Sequence, residues 1–196
     1  MGVGPVTIAV EGPVDEAVLK RLLAEAGLSV AHVHGRQGKA HLDAQLRGFN
    51  QAARFAPWLV LRDLDHDAEC APALLRRLLP APSARMRLRI AVRAAEAWLL
   101  ADADALAAFL KVSPSRLPRR PDELDQPKQA LVNLARTSRS QRIRDELVPA
   151  AGTHAKVGPL FGARLVEFAG GAWQPRRASR SSDSLRRCIR MLESWR

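Results

Sequence analysis

The chain has 196 residues, with 31 Lys and Arg against 20 Asp and Glu, for a formal net charge of +11. That length suits one domain of ordinary size with room for an appended subdomain, and 47% apolar residues supply a real core, which excludes a largely disordered chain. No apolar run approaches the ~18 residues of a membrane span, and two distant cysteines, Cys70 and Cys188, make neither a disulfide framework nor a zinc knuckle.

The opening Met1-Gly2-Val3-Gly4-Pro5 lacks the basic start and apolar stretch of a signal peptide, so the expectation is a soluble, cytoplasmic protein with no membrane partner. Of the 31 cations, 26 are Arg. Richness in Arg, Ala and Pro without Tyr points to a GC-rich coding bias, which selects Arg over Lys but does not set the sign of the charge. Residues 1–100 carry 13 cations and 10 anions, and residues 101–196 carry 18 and 10. The excess therefore sits in the second half, where it suits a polyanionic partner or forms a merely solvated basic surface.

Short β-like runs alternate with helical ones over the first hundred residues. Val6-Thr7-Ile8-Ala9-Val10 reads as a strand ending in Glu11-Gly12-Pro13. Residues 15–26 place Ala17, Val18, Leu22 and Leu23 on one helical face, with Gly27 as the stop. A second strand is predicted over 29–34, a glycine loop over 35–38 and a helix over 41–55. Trp58-Leu59-Val60-Leu61 reads as a third, buried strand running into Arg62-Asp63-Leu64-Asp65. A helix over 70–79 closes at Pro80 and Pro82. A fourth strand follows over 87–92 and a helix over 94–101. This order implies an α/β fold, a parallel sheet of about four strands flanked by helices.

Beyond Asp102 the strand signal stops. Residues 113–127 read as a Pro-rich, charged loop, helices are predicted over 128–136, 140–147 and 159–168, a further loop over 170–180, and a last helix over 182–195. The organisation expected is a core over 1–110 and a basic, mainly helical cap over 111–196 packed on it.

In an open parallel sheet, ligands bind beyond the carboxyl ends of the strands. The acids cluster there: Glu11 after the first strand, Asp63 and Asp65 after the third, and Glu96 just after the fourth. Such carboxylates raise one another's pKa unless a cation is present, and hard oxygen donors suit Mg²⁺ or Mn²⁺. Taken singly, each is also compatible with a turn, a helix cap or a solvated loop. Asp67 and Glu69 read as first-turn helix acids.

Val10-Glu11-Gly12-Pro13-Val14-Asp15-Glu16 followed by Asp63-Leu64-Asp65 resembles the TOPRIM signature, a strand-end Glu and then Asp-x-Asp after a later strand. Type IA and II topoisomerases, bacterial primases and the nucleases of the overcoming-lysogenization-defect group share that domain. Gly35-Arg36-Gln37-Gly38-Lys39, Ala95-Glu96-Ala97-Trp98-Leu99-Leu100-Ala101-Asp102, Pro127-Lys128, and the tail Trp173-Gln174-Pro175 with Ser184-Leu185-Arg186-Arg187-Cys188 are similar to the TOPRIM-like domain-of-unknown-function family 4276, over nearly the whole chain.

The resemblance implies metal-dependent phosphodiester chemistry, with a role in phage or mobile-element defence and a partner ATPase, fused or separate. By it, Glu11 matches the strand-one Glu, Asp63 and Asp65 the metal-binding aspartates, and Glu96 the further acid of TOPRIM nucleases. The absence of Tyr excludes a topoisomerase nucleophile, which leaves a metal-activated water attacking a phosphodiester. Asp63, Asp65 and Glu11 would hold the metals, Glu11 alternatively acting as general acid or base. Glu96 would complete a second metal position or orient the water. Lys39 and Arg62 would neutralise phosphate charge, Arg62 equally serving as a structural counterion.

Weaker signals complete the reading. The glycine loop ends like a Walker A motif, but Val33 and Ala40 stand where Gly and Ser/Thr are required, so a flexible loop carrying Lys39 to phosphate fits better. His32 and His34 share a strand face without further ligands, and read as ordinary strand-end histidines rather than a zinc pair. Trp98, Leu99, Leu100 and Trp58 read as core. Arg36, Lys39, Lys128, Lys156, Arg176, Arg177, Arg186 and Arg187 are the nucleic-acid-binding candidates, with Arg136, Arg139, Arg142, Arg144, Arg180 and Arg190 nearby on the basic half. Arg forks bind phosphate in pairs, and 5% aromatic content argues for backbone contact over base stacking. The expected function is thus a Mg²⁺- or Mn²⁺-dependent nuclease acting on DNA or RNA. The rival is a non-catalytic TOPRIM-derived module that binds nucleic acid or protein beside a partner ATPase.

Overall fold

A computed structural model describes residues 3–195. Met1 and Gly2, part of the N-terminal stretch read above, lie outside the described residues, as does Arg196.

The fold is α/β. Strand β1 (Val6–Val10), fully buried and rich in β-branched residues, leads into α1 (Pro13–Glu25). The helix begins two residues before the predicted start because Pro13 occupies its first position, where a missing N–H costs nothing. Then follow β2 (Val30–Gly35), α2 (Lys39–Ala52), β3 (Trp58–Asp63), α3 (Ala71–Leu78), β4 (Met86–Ala91) and α4 (Ala95–Leu100). Each matches a predicted element within a few residues. Because α3 begins only at Ala71, Asp67 and Glu69 are not first-turn helix acids; both lie in the loop before it.

The second half holds α5 (Ala103–Leu110), α6 (Pro127–Arg136), α7 (Gln141–Leu147), α8 (Phe161–Gly170), α9 (Pro175–Ala178) and α10 (Asp183–Glu193). The pattern of the chain did not announce α5: with Asp104 its one charged residue, it lacks a polar face to contrast with its apolar one. The two stretches read as loops contain short helical turns, at Pro114–Arg116, Pro121–Glu123 and α9, each opened by a proline. Ser182 caps α10, its Oγ accepting from the Leu185 N–H at 3.2 Å.

All four strands are parallel, in the order β2-β1-β3-β4. Alternate residues serve opposite faces. Val6, Ile8, Val10, Leu59 and Leu61 join α1 and the helices of the second half in one apolar cluster. Ala9, Trp58, Val60, Leu88 and Ile90 join α2 and α3 in the other. Leu19, Trp98 and Phe168 are fully buried in the first cluster, so the C-terminal helices share a core with the sheet. The chain leaves β1 toward β2 on one side and returns to β3 on the other. The loops after β1 and β3 therefore diverge, opening the crevice where ligands of such sheets bind.

Polar contacts anchor the second half to α4. The fully buried Asp102 accepts from the Gln174 N–H at 2.8 Å and from Arg177 Nε at 2.5 Å. The Trp173 indole donates to the Trp98 carbonyl at 3.2 Å, and the Trp98 indole donates to Ser184 Oγ at 2.7 Å. Among the described residues no helix is long and apolar enough to cross a membrane. Truncating the buried Asp102 removes both hydrogen bonds at once and leaves a void in their place. Asp102→Ala should therefore lower unfolding stability by about 3 kcal/mol. A urea midpoint unmoved from wild type would refute this anchoring role.

Candidate functional site: a carboxylate cluster at the sheet edge

Glu11 directly follows β1 and Asp63 ends the neighbouring β3, so the parallel register carries both to one edge. Glu11 Oε1 accepts the Asp63 N–H at 2.8 Å. Asp63 Oδ1 accepts the Ala95 N–H at 2.9 Å, which ties down the first turn of α4 and brings in Glu96 from the adjacent position. A fourth acid, Asp15, enters from the first turn of α1, where its Oδ2 reaches back to the Gly12 N–H at 2.8 Å. Asp15, Asp63 and Glu96 are 8%, 7% and 3% exposed.

Four carboxylates in so little water oppose one another's ionisation. Burial first, then Glu96 and Glu11, pushes Asp15 up to about 7. Burial, then Asp15, Glu96 and Glu11, lifts Asp63 well above the usual carboxylate range. Glu11 is raised by burial against the opposing pull of the Asp63 N–H and Arg62. Lys128, at the start of α6, places Nζ 3.4 Å from Glu96 Oε1. Desolvation of the ammonium is outweighed there by the charges of Glu96 and Asp63, and its pKa rises.

Arg62 resolves in favour of the structural counterion. Its buried guanidinium meets Asp43 at 3.0 Å, Asp67 at 2.6 Å and Glu11 at 3.5 Å, and also donates to the Asp63 carbonyl. Lys39 opens α2 and binds Asp65 at 2.9 Å and Asp67 at 3.1 Å; the Asp65 bond, then that of Asp67, raises its pKa. Asp65, with a left-handed φ of 47°, is thus turned to Lys39, while its backbone carbonyl accepts from Arg93 at 2.7 Å. The glycine loop that delivers Lys39 hugs β1: a Cβ on Gly35, whose φ is 92°, would lie 2.1 Å from the Val10 carbonyl oxygen.

The basic candidates divide. Lys128 faces the cluster, and Lys156 lines a cavity of about 300 Å³ with Lys128, Arg93, His66 and Asp65, at the cluster's rim. Arg36 is held by Glu16 at 2.5 Å. Arg176 pairs with Glu193 at 3.0 Å, Arg177 with the buried Asp102, and Arg186 and Arg187 both with Asp183. Of the strand histidines, His34 stacks on Trp58 with ring centroids 5.1 Å apart, and Trp58 stacks in turn on Phe49.

Sequence reasoning missed Asp15 and Asp43. The available signal for Asp15 was its place one helical turn past Glu11, on the face of α1 that also carries Val18, Leu19 and Leu22 into the core. Asp43 carried no such signal: it counters Arg62 only because α2 lies against β3.

Hard divalent cations take oxygen donors. Every group is a carboxylate oxygen, the cluster carries more negative charge than Lys128 and Arg62 offset, and Glu96 Oε2 is buried with no hydrogen-bond partner. Among the described residues, no group of three or more His, Cys, Asp or Glu side chains is arranged so that it could hold a metal ion. Glu11, Asp15 and Asp63 each commit one oxygen to a backbone N–H. Comparison of the chain with protein-family models, with curated proteins and with solved structures gave no significant match.

Raised carboxylate pKa values make stability pH-dependent with a definite sign. Between the ordinary aspartate value of 3.8 and about 7, the folded state holds a proton on Asp15 that the unfolded chain releases. Stability therefore falls as pH rises through that window, on the order of a few kcal/mol for the buried pair Asp15 and Asp63. Metal-free protein should melt at a lower temperature at pH 8 than at pH 5, and Asp15→Asn should flatten the profile. A metal-free melting temperature that rises across this interval would contradict the cluster's electrostatics.

Proposed function

We propose that this protein is a TOPRIM-like nuclease, dependent on Mg²⁺ or Mn²⁺, that hydrolyses phosphodiester bonds of DNA or RNA in the cytoplasm. The observation that carries the reading is the crowding of Glu11, Asp15, Asp63 and Glu96 at the crevice between β1 and β3, with one buried Glu96 oxygen left unpartnered. Structural acids are normally paired or solvated; these oppose one another, which supports a site that gains by taking a cation.

Asp63, Glu11 and Glu96 would hold the metal, Asp15 supporting them from α1. Such an ion supplies positive charge to a phosphate and acidity to a water. The chain's own groups supply the rest. As an alternative to holding the metal, Glu11, whose pKa is raised, would take the proton from the attacking water, while the leaving oxygen takes its proton from solvent as the P–O bond breaks. Lys128 and Lys39 flank the crevice and position the phosphate, and Lys156 and Arg93 extend the basic rim for the neighbouring backbone. Contact through phosphates alone accounts for weak sequence preference and strong salt dependence. The TOPRIM resemblance adds a role in phage or mobile-element defence, alone or with a partner ATPase.

The Lys39–Asp65 ion pair favours the second reading, a TOPRIM-derived module that binds nucleic acid without cutting it, since it withdraws one expected ligand. Incubation of plasmid, single-stranded DNA and tRNA with the protein and Mn²⁺ separates the two. The nuclease reading expects cleavage of at least one substrate, lost at least ~10²-fold in Asp63→Asn, with circular dichroism unchanged. Cleavage that persists in folded Asp63→Asn would remove Asp63 from the site. Binding without cleavage of all three substrates would establish the module instead. Lys39→Met should free Asp65 and reduce cleavage by about tenfold through lost phosphate positioning, read from the rate at saturating Mn²⁺.

A further inference from the structure

A second, larger cavity, of about 690 Å³, lies along the free edge of β4, between α3 and the first turn of α10. That volume falls within the range of small-molecule sites, and the position, where the sheet core meets the C-terminal helices, is a common one for them. The walls are mainly apolar, formed by Leu64, Leu75, Ile90 and Val92 among others. Two polar groups in this lining are unsatisfied. Arg89 of β4 has its Nε buried with no hydrogen-bond partner, and among the described residues no carboxylate pairs with it. Asp122, from the turn at Pro121–Glu123, uses Oδ2 to accept the Ser184 N–H at 3.1 Å, while its Oδ1 is buried and unpartnered.

These two groups do not pair with each other. The other acids of the lining leave Arg89 uncompensated: Glu123 binds Arg120 at 3.0 Å, Asp183 binds Arg187 at 2.6 Å, and Glu69 is exposed on the loop before α3. A half-buried guanidinium with no carboxylate partner, and an acid with one oxygen unpaired, leave charge that an occupant carrying an anion and a donor would offset. An apolar stretch lies between those needs, so the occupant has a body that prefers apolar contact.

We infer that this cavity binds a nucleoside monophosphate, its phosphate on Arg89, its base against the apolar walls and its sugar toward Asp122. Guanidinium pairs with phosphate in a two-point fork, and base faces bury well against aliphatic side chains. The volume leaves room for the sugar. The site is separate from the carboxylate cluster, shares no acid with it and does not depend on the nuclease reading. Arg93 and Leu64 stand between the two, Leu64 in the lining of this cavity and Arg93 in the linings of both it and the smaller rim cavity.

Isothermal titration of the full chain with adenosine 5′-monophosphate and guanosine 5′-monophosphate, in EDTA so that no metal bridges phosphate to the acids, tests the assignment. At least one nucleotide should bind with 1:1 stoichiometry. Arg89→Gln should weaken it tenfold or more, Asp122→Asn should weaken it less, and Asp63→Asn should leave it unchanged. Leu75→Trp, which fills the cavity without touching charge, should abolish binding and keeps the test intact if Arg89→Gln fails to fold. No heat with either nucleotide at millimolar concentration would overturn the proposal. So would unchanged binding in Leu75→Trp, or inorganic phosphate binding as tightly as the nucleotides.

Discussion

The structure turns on how negative charge is balanced where β1 and β3 end. Glu11 and Asp63 meet there because adjacent parallel strands deliver their last residues side by side, and Asp15 and Glu96 join them from helices that start at the same edge. Arg62, buried beneath, offsets part of this charge through Asp43, Asp67 and Glu11, and Lys128 offsets part of it from above. The remainder is met by protons held at Asp15 and Asp63. A cluster so balanced keeps its protons because they remove the repulsion between its carboxylates.

That balance assigns the cations to different tasks. Arg62 and Arg177 hold the fold, the buried Arg62 through half-buried acids beneath the crevice and Arg177 through the buried Asp102 at the end of α4. Lys39, Lys128, Lys156 and Arg93 border the crevice. Several arginines of the second half sit in surface pairs such as Arg120–Glu123, Arg176–Glu193 and Arg187–Asp183. Exposed pairs of this kind contribute little to stability. A net charge of +11 therefore describes the surface as a whole, while a few lysines and arginines define the potential at the site.

Most of the α/β core could be read from the sequence, because hydrophobic period and glycine or proline punctuation are local properties. The run Val6–Val10 and the helix over α2 follow from spacing alone. Helix α5 escaped because its residues are apolar on nearly all sides, and α9 because four residues carry too little pattern. Within the candidate site, Glu11, Asp63 and Glu96 stood out as acids at strand ends or just beyond. Asp15 did not, since an acid in the first turn of a helix is ordinarily a favourable charge at the helix dipole. Its buried place is shared with Glu96 of α4 and the charge of Lys128 of α6, and no local pattern encodes that juxtaposition.

Asp65 draws the same boundary from the other side. By spacing it pairs with Asp63, two residues away. In the fold a left-handed backbone step turns it to Lys39, 26 positions earlier in the chain. Unaided, the sequence determined the order of strands and helices, the acids that end them and the charge asymmetry between the halves, all of which depend on near neighbours. Tertiary structure decided which acids share a low-dielectric space, which arginines are locked in ion pairs and which buried polar atoms lack a partner. Those properties depend on contacts between residues distant in the chain, and burial strengthens the interactions that such contacts create.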